Sequence, residues 1–251
     1  NARAMEDSLT KLLSSKFEEV RTRAQEIKDE VRFSVPTLVK YANENDYITK
    51  TREALSEITV SHANGGGDAE TSGPRPVTLI DWTGKEAPDA EDAALEKIAG
   101  ALLYESSLRS YEAVNEELGR MSPEEKLAVF KKSIERLGKY DNPVPALRLV
   151  GYTAEFVISE ACWHQLLRHR KTDWFFQDPA VSHGITVPPN IEGAGVTSLL
   201  VEATQASEDV YGKLIGEGLS ESAVYVVTNA HNRRVVGGFS LWELYHLINL
   251  R

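Results

Sequence analysis

The chain has 251 residues, of which 41% are hydrophobic, enough to bury the core of one large domain or of one domain plus a smaller helical segment. Its formal net charge of 28 − 38 = −10 argues against sequence-independent nucleic-acid binding, which needs a broad basic surface, but allows a small anionic ligand. Cys162 is the only cysteine, no run of about 18 apolar residues predicts a membrane span, and no signal peptide is visible, so we expect a cytoplasmic protein without an intrachain disulfide.

The first third of the chain is predicted to be helical. Residues 3–42 contain two apolar stripes at helical spacing, and Pro36 interrupts or restarts the second helix. Residues 61–76 include three consecutive glycines and almost no apolar side chains, which predicts a flexible linker or mobile loop. The sequence therefore predicts a helical segment over 1–60 and a separate domain over 77–251.

Strands and helices alternate irregularly in this second part. Neither a dinucleotide-binding glycine motif nor a phosphate-binding loop is present, so an α+β fold is favoured over a doubly wound nucleotide-binding fold. The first predicted elements are a strand at Val77–Trp82, a helix at Ala90–Tyr104 and a helix that runs from a capping box at Ser122 to Gly138. A strand at Leu147–Ile158, bent at Gly151, then leads to a short helix capped by Ser159 and to an irregular segment at 171–194. The last predicted elements are a helix at Val196–Ile215, a strand at Arg233–Phe239 and a helix that begins at a second capping box, Ser240–Glu243.

The short helix after Ser159 ends in Arg168, His169 and Arg170, followed by a lysine. Cations at a helix C-terminus stabilise it by about 0.3–1 kcal/mol, which is the ordinary explanation of such a cluster. However, consecutive helical side chains point about 100° apart, so the three cannot all face solvent. If the chain is extended here, the two arginines share one side and His169 takes the other. Arg168 suits bidentate binding of a phosphate or a pyrimidine carbonyl.

This stretch, Trp163–Arg170 preceded by Phe156–Ser159, resembles the signature helix of flavin-dependent thymidylate synthases. The resemblance implies a thymidylate synthase complementing protein-like fold, with a mixed sheet and flanking helices. It also implies a methyltransferase of nucleotide biosynthesis that converts dUMP to dTMP. Its co-substrates would be methylenetetrahydrofolate and NADPH, its cofactor would be FAD, and its sites would form between the subunits of a homotetramer.

The same resemblance assigns roles to individual residues. Arg168 would be the catalytic residue, which polarises the pyrimidine and bridges to the flavin, and no metal is implied. His246 falls where the family has a flavin-contacting polar side chain, and Ser240 where it has asparagine. The implied FAD ligands are Arg168, His169, Arg170, Ser240 and His246. The implied nucleotide ligands are Gln165, Arg168 and Arg251, with Arg234 as a further candidate that could equally be an exposed strand end.

The segment after the triplet departs from the family pattern. Where the family has a serine, a glutamate, a serine and an arginine that hold the nucleotide, this chain has Asp173, Phe176, Asp178 and Ala180. Repulsion from Asp178 would oppose a phosphate unless another cation compensates. Three functions therefore stay open: an active enzyme, a catalytically inactive flavin- or nucleotide-binding paralogue or partner subunit, and an oligomeric scaffold without a ligand.

Three further features of the sequence are the N-terminal tripeptide, the single cysteine and the pair formed by Glu160 and His164. The residues Asn-Ala-Arg at 1–3 resemble a family segment that normally lies near the C-terminus, as in a permuted chain or a slice of a tandem ancestor; the alternative is an expression tag and an unrelated helical pair. We expect Cys162 to be a buried structural residue rather than a nucleophile. Glu160 and His164 are expected to form a surface pair rather than a metal site.

Overall fold

The computed structural model describes residues 2–62 and 75–250. The chain divides into two compact units, Asn1–Ser72 and Gly73–Arg251. Of the predicted flexible linker at 61–76, residues 63–74 lie outside the described residues, so that prediction stays untested. The assignment of residues 1–60 to the family's tail and of 77–251 to its main domain also stays a prediction.

The first unit is helical, as predicted for residues 3–42. Pro36 occupies the first turn of the third helix, where its missing N–H is not needed. The small core contains Leu9, Val39 and Ala42. The helices are α1 (Ala2–Leu13), α2 (Glu18–Val31), α3 (Pro36–Val39) and α4 (Asp46–His62).

The second unit is α+β, which confirms the predicted fold class. The elements before the sheet centre are β1 (Val77–Trp82), α5 (Ala90–Glu105), α6 (Tyr111–Leu118), α7 (Pro123–Ile134) and a 3₁₀ helix (Pro145–Leu149). The elements that follow are β2 (Gly151–Ser159), α8 (Glu160–Leu166), β3 (Asp173–Phe176), α9 (Pro189–Gly193), α10 (Thr197–Gly216), α11 (Ser220–Ala223), a 3₁₀ turn (Val224–Val226), β4 (Asn232–Ser240) and α12 (Leu241–Leu250). Among the described residues, no helix has both the length and the apolar character that a bilayer crossing requires.

Three predicted elements differ from the structure. The helix expected to run from Ser122 to Gly138 ends at Ile134. The strand expected from Leu147 begins only at Gly151, because Pro145 starts a 3₁₀ helix before it. The segment 171–194, expected to be irregular, contains β3 and α9. The four residues of β3 become a strand because they pair with β4 over Asp173–Phe176, a long-range contact that local sequence patterns do not reveal.

The sheet has the strand order β1-β2-β4-β3. Its three pairings are all antiparallel, where a mixed sheet was expected. One face carries an aromatic cluster in which Trp163 of α8 lies 5.2 Å from Trp174 of β3. Gly237 permits this packing, since a Cβ there would lie 2.7 Å from the Trp174 ring. The cluster therefore anchors α8 to the sheet.

A second core fixes the position of α12. Ile98, Leu147 and Val150 are buried together with Trp242, and the Leu241 N–H donates to the Val150 carbonyl at 2.7 Å. Because α12 follows β4 directly, this packing brings its first turn beside the chain that leaves α8.

Candidate functional site

The Arg168–Arg170 triplet lies in the turn that follows α8. Helix α8 begins as predicted, with the Ser159 hydroxyl accepting a hydrogen bond from the Cys162 N–H at 3.2 Å, and it ends at Leu166. His169 is buried, at 5% exposure, whereas both arginines are exposed. The imidazole is thus shielded from solvent while the two guanidinium groups on either side of it in the chain are not.

The triplet borders a cavity of about 280 Å³, which we call the triplet cavity. The turn after α8 supplies the cationic side of the cavity, and α12 supplies the opposite side. A cavity with several convergent polar groups is the usual form of a small-molecule site. Its lining residues are Arg168, His169, Arg170, Lys171, Trp242, Glu243, His246 and Leu250.

Glu243 has a different role from the one predicted for it. The Ser240 hydroxyl accepts from the Glu243 N–H at 3.2 Å, as in a capping box. The Glu243 carboxylate, however, lies 3.2 Å from His169 Nδ1, and both side chains are almost fully buried. Sequence reasoning missed this pairing, because the capping-box spacing gave Glu243 a sufficient local explanation.

Trp242 organises the wall of the triplet cavity. Its indole N–H donates to the Pro143 carbonyl at 3.1 Å, and the ring of His246 stacks on it with centroids 6.0 Å apart. The Lys171 ammonium lies 4.1 Å and the Arg148 guanidinium 4.7 Å from the centroid of the same ring. Such contacts attract a cation to an aromatic face, so Trp242 holds three polar side chains near the triplet.

A second, larger groove of about 530 Å³ shares Lys171 with the triplet cavity. Three cations line it, and they come from α5, from the 3₁₀ helix and from the turn after α8: Lys97, Arg148 and Lys171. Asp81 and Asp173 also line this groove, so its charge is mixed.

The predicted site residues are only partly brought together. Arg168, His169, Arg170 and His246 line the triplet cavity, whereas Ser240 lines the second groove. Gln165 is exposed and is not among the residues that line the triplet cavity. Arg234 donates to Glu155 at 2.9 Å across the β2–β4 pair, and Arg251 lies outside the described residues.

Arg233, which is distant from Asp178 in sequence, is a cation near Asp178 in the folded protein. The pKa of Arg233 is lowered overall, because burial outweighs the nearby carboxylates of Glu160 and Asp178, which raise it. The Arg233 Nε lies 2.9 Å from Glu160 Oε1 as an ion pair, and its guanidinium lies 5.6 Å from the centroid of the Phe176 ring. Arg233 is therefore already engaged by other groups of the protein.

Two further predictions need correction. Cys162 is exposed rather than buried: consecutive helical side chains point about 100° apart, and it is the next residue, Trp163, that is buried. Glu160 and His164 were expected to form a surface pair. The two side chains are paired, with His164 Nε2 3.9 Å from Glu160 Oε2, but Glu160 is buried at 6% exposure and lies closer to Arg233, at 2.9 Å. No group of three or more acidic, histidine or cysteine side chains within 2–62 and 75–250 is placed to hold a metal.

Comparison with known proteins identifies a family. Residues 78–251, about two thirds of the chain, match the family model described as thymidylate synthase complementing protein. No curated protein matches the chain.

Proposed function

The chain belongs to the thymidylate synthase complementing protein family, and on that premise we propose that the triplet cavity is part of an FAD site that serves the conversion of dUMP to dTMP. One observation carries the proposal: Arg168 and Arg170 surround a cavity that also contains the buried His169. If these cations served only to stabilise the end of a helix, we would expect no cavity beside them and no buried imidazole between them.

The donor set fits a flavin. Guanidinium groups suit phosphate oxygens, and imidazoles suit the polar edge of a ring. At about 280 Å³ the triplet cavity is smaller than the roughly 300–1,000 Å³ of whole-ligand pockets, so it would take only part of FAD. The adjoining groove, which shares Lys171 and also contains Arg148, would take the rest.

In this proposal the chain's own residues bind and orient the reactants. Arg168 polarises a pyrimidine carbonyl, because a fixed positive charge stabilises the negative charge that develops there. Arg170 and Lys171 hold the cofactor phosphates, and His169 and His246 contact the flavin. The bound flavin would supply hydride chemistry, NADPH would reduce it, and methylenetetrahydrofolate would supply the one-carbon unit.

The proposal includes a homo-oligomer, tetrameric as in the resemblance. Large apolar side chains remain exposed on the second unit, among them Phe175 at 67%, Leu199 at 62% and Ile248 at 66%. Exposed apolar surface is often buried between subunits. A cytoplasmic location is also proposed, because a single exposed cysteine suits a reducing compartment.

A second candidate function is a flavin-binding partner subunit without its own catalysis. Two observations favour it. Arg233 is paired with Glu160 and Arg234 with Glu155, so neither arginine of β4 is directed to a nucleotide. Asp178 also stands at the sequence position where the family pattern has a nucleotide-binding serine, and its carboxylate would repel a phosphate there.

Titration with FAD tests the proposal first. We expect the visible absorption spectrum of the protein to show bound oxidised flavin, and the double variant Arg168→Ala/Arg170→Ala to bind FAD at least about tenfold more weakly. Arg120→Ala is the matched control, since that arginine is 78% exposed on the same unit. A protein that is colourless after unbound FAD has been removed by gel filtration would refute both candidate functions.

Tritium release from labelled dUMP separates the two candidates. Release in the presence of methylenetetrahydrofolate and NADPH supports the enzyme. Flavin binding without release supports the partner subunit.

A further inference from the structure

His169 and Glu243 form a buried pair in the wall of the triplet cavity. The distance from His169 Nδ1 to Glu243 Oε1 is 3.2 Å, and the side chains are 4% and 3% exposed. Neither the family match nor the sequence pattern assigns a function to Glu243. A buried polar pair of this kind is costly to separate, because each group would lose its partner without regaining water.

With an ionised Glu243 carboxylate, the pairing fixes which ring nitrogen of His169 carries the proton. An ionised carboxylate can only accept hydrogen bonds, so its contact with Nδ1 requires a proton on Nδ1. In a neutral imidazole the other nitrogen, Nε2, is then an acceptor. Since His169 lines the cavity and its Nδ1 is engaged, Nε2 is the ring atom left for a ligand.

The neighbouring rings keep His169 in this orientation. His246 meets it edge to face, with centroids 6.2 Å apart and planes at 72°. His246 is itself stacked on Trp242, which is fixed by its bond to the Pro143 carbonyl. Turning the His169 ring over would break the contact with Glu243 inside this packed arrangement.

We propose that Glu243 is a positioning residue that holds His169 in the Nδ1–H tautomer, so that Nε2 accepts a hydrogen bond from an N–H or O–H group of the bound flavin. Such groups are the ring imide and the ribityl hydroxyls. The phosphates would be left to Arg170 and Lys171. This inference rests on the proposed flavin site, but the His169 tautomer can be measured in the protein without FAD.

Nitrogen-15 NMR of the histidine side chains in the full chain reads the tautomer directly, and His169→Asn identifies the signal. In the wild-type protein without FAD we expect the Nδ1–H form for His169. A wild-type spectrum with the proton on Nε2 would overturn the inference without any Glu243 variant being needed.

Glu243→Ala then tests the cause. We expect His169 to change to the Nε2–H tautomer and FAD to bind about tenfold more weakly or worse, as when a group that orients a ligand-binding histidine is lost. Glu160→Ala is the matched control, because it breaks another buried pair, at the opposite end of α8. It should lower stability but leave the His169 tautomer unchanged.

The outcomes distinguish the two proposals. An unchanged Nδ1–H tautomer in Glu243→Ala, or the same change in Glu160→Ala, would overturn the role of Glu243. Failure of wild-type protein to bind FAD, with the expected tautomers observed, would instead refute the proposed function.

Discussion

Replacing Trp163 with alanine should strongly destabilise the second unit. The side chain is 1% exposed, and its ring lies 5.2 Å from the rings of both Trp174 and Phe176. Removing a buried tryptophan side chain costs about 3–5 kcal/mol. Each kcal/mol lowers Tm by about 2–4 °C in a unit of this size, so we expect Tm to fall by about 6–20 °C.

Circular dichroism during heating measures this change. Trp163→Phe, which retains a ring, should lose less stability than Trp163→Ala. Leu108→Ala is the surface control, since Leu108 is fully exposed and its replacement should change stability by less than about 0.5 kcal/mol. If Trp163→Ala lowered Tm by less than about 3 °C, the aromatic cluster would not be the anchor of α8, and the argument for the position of the triplet would fail with it.

Three further predictions concern packing, charge and the nucleotide. Gly237→Ala should cost about 1–3 kcal/mol in urea unfolding, because the new Cβ would lie 2.5 Å from the Phe239 ring and 2.7 Å from the Trp174 ring; an unchanged midpoint would contradict the observed packing. The pKa of Lys126 is lowered by burial but raised more by the two carboxylates of α5 that face it, so it lies above its ordinary 10.5. The folded state therefore holds this proton more tightly, and the resulting stability is complete below about pH 10.5 and lost as pH rises through the folded pKa. Wild type should lose more stability than Lys126→Met in urea titrations between about pH 10 and 12, and equal losses would remove the ion pair as the cause. Asp178→Ser combined with Ala180→Arg exchanges a carboxylate for a cation where the family grips phosphate, so calorimetry should show dUMP binding strengthened by about tenfold or more; weaker binding would mean that the nucleotide does not lie there.

Local patterns were reliable where the interactions that decide them are local. The capping box at Ser122 forms as predicted, with both reciprocal hydrogen bonds. The strand at Val77–Trp82 has the predicted bounds. Caps and strand propensity act between residues close in sequence, so the sequence contains most of the information that determines them.

Long-range pairing decided the features that were missed. In the second capping box the Glu243 N–H still donates to the Ser240 hydroxyl. The Glu243 carboxylate, however, pairs with His169, 74 residues away in sequence. Strand β3 exists because β4 pairs with it, and Arg234 is engaged because Glu155 lies across the β2–β4 pair. Sequence spacing cannot rank such partners, because distant groups compete for the same side chain only once the chain is packed.

The sequence by itself determined the α+β class, the family resemblance and the cationic triplet as the place to look for a site. Only the tertiary structure decided that His169 is buried while its two arginines are exposed, that α12 faces the triplet across a cavity, and that Glu243 engages the imidazole. The physical reason is that residue chemistry and helical period are properties of short segments, whereas burial and the choice of hydrogen-bond partner depend on which segments the folded core brings together.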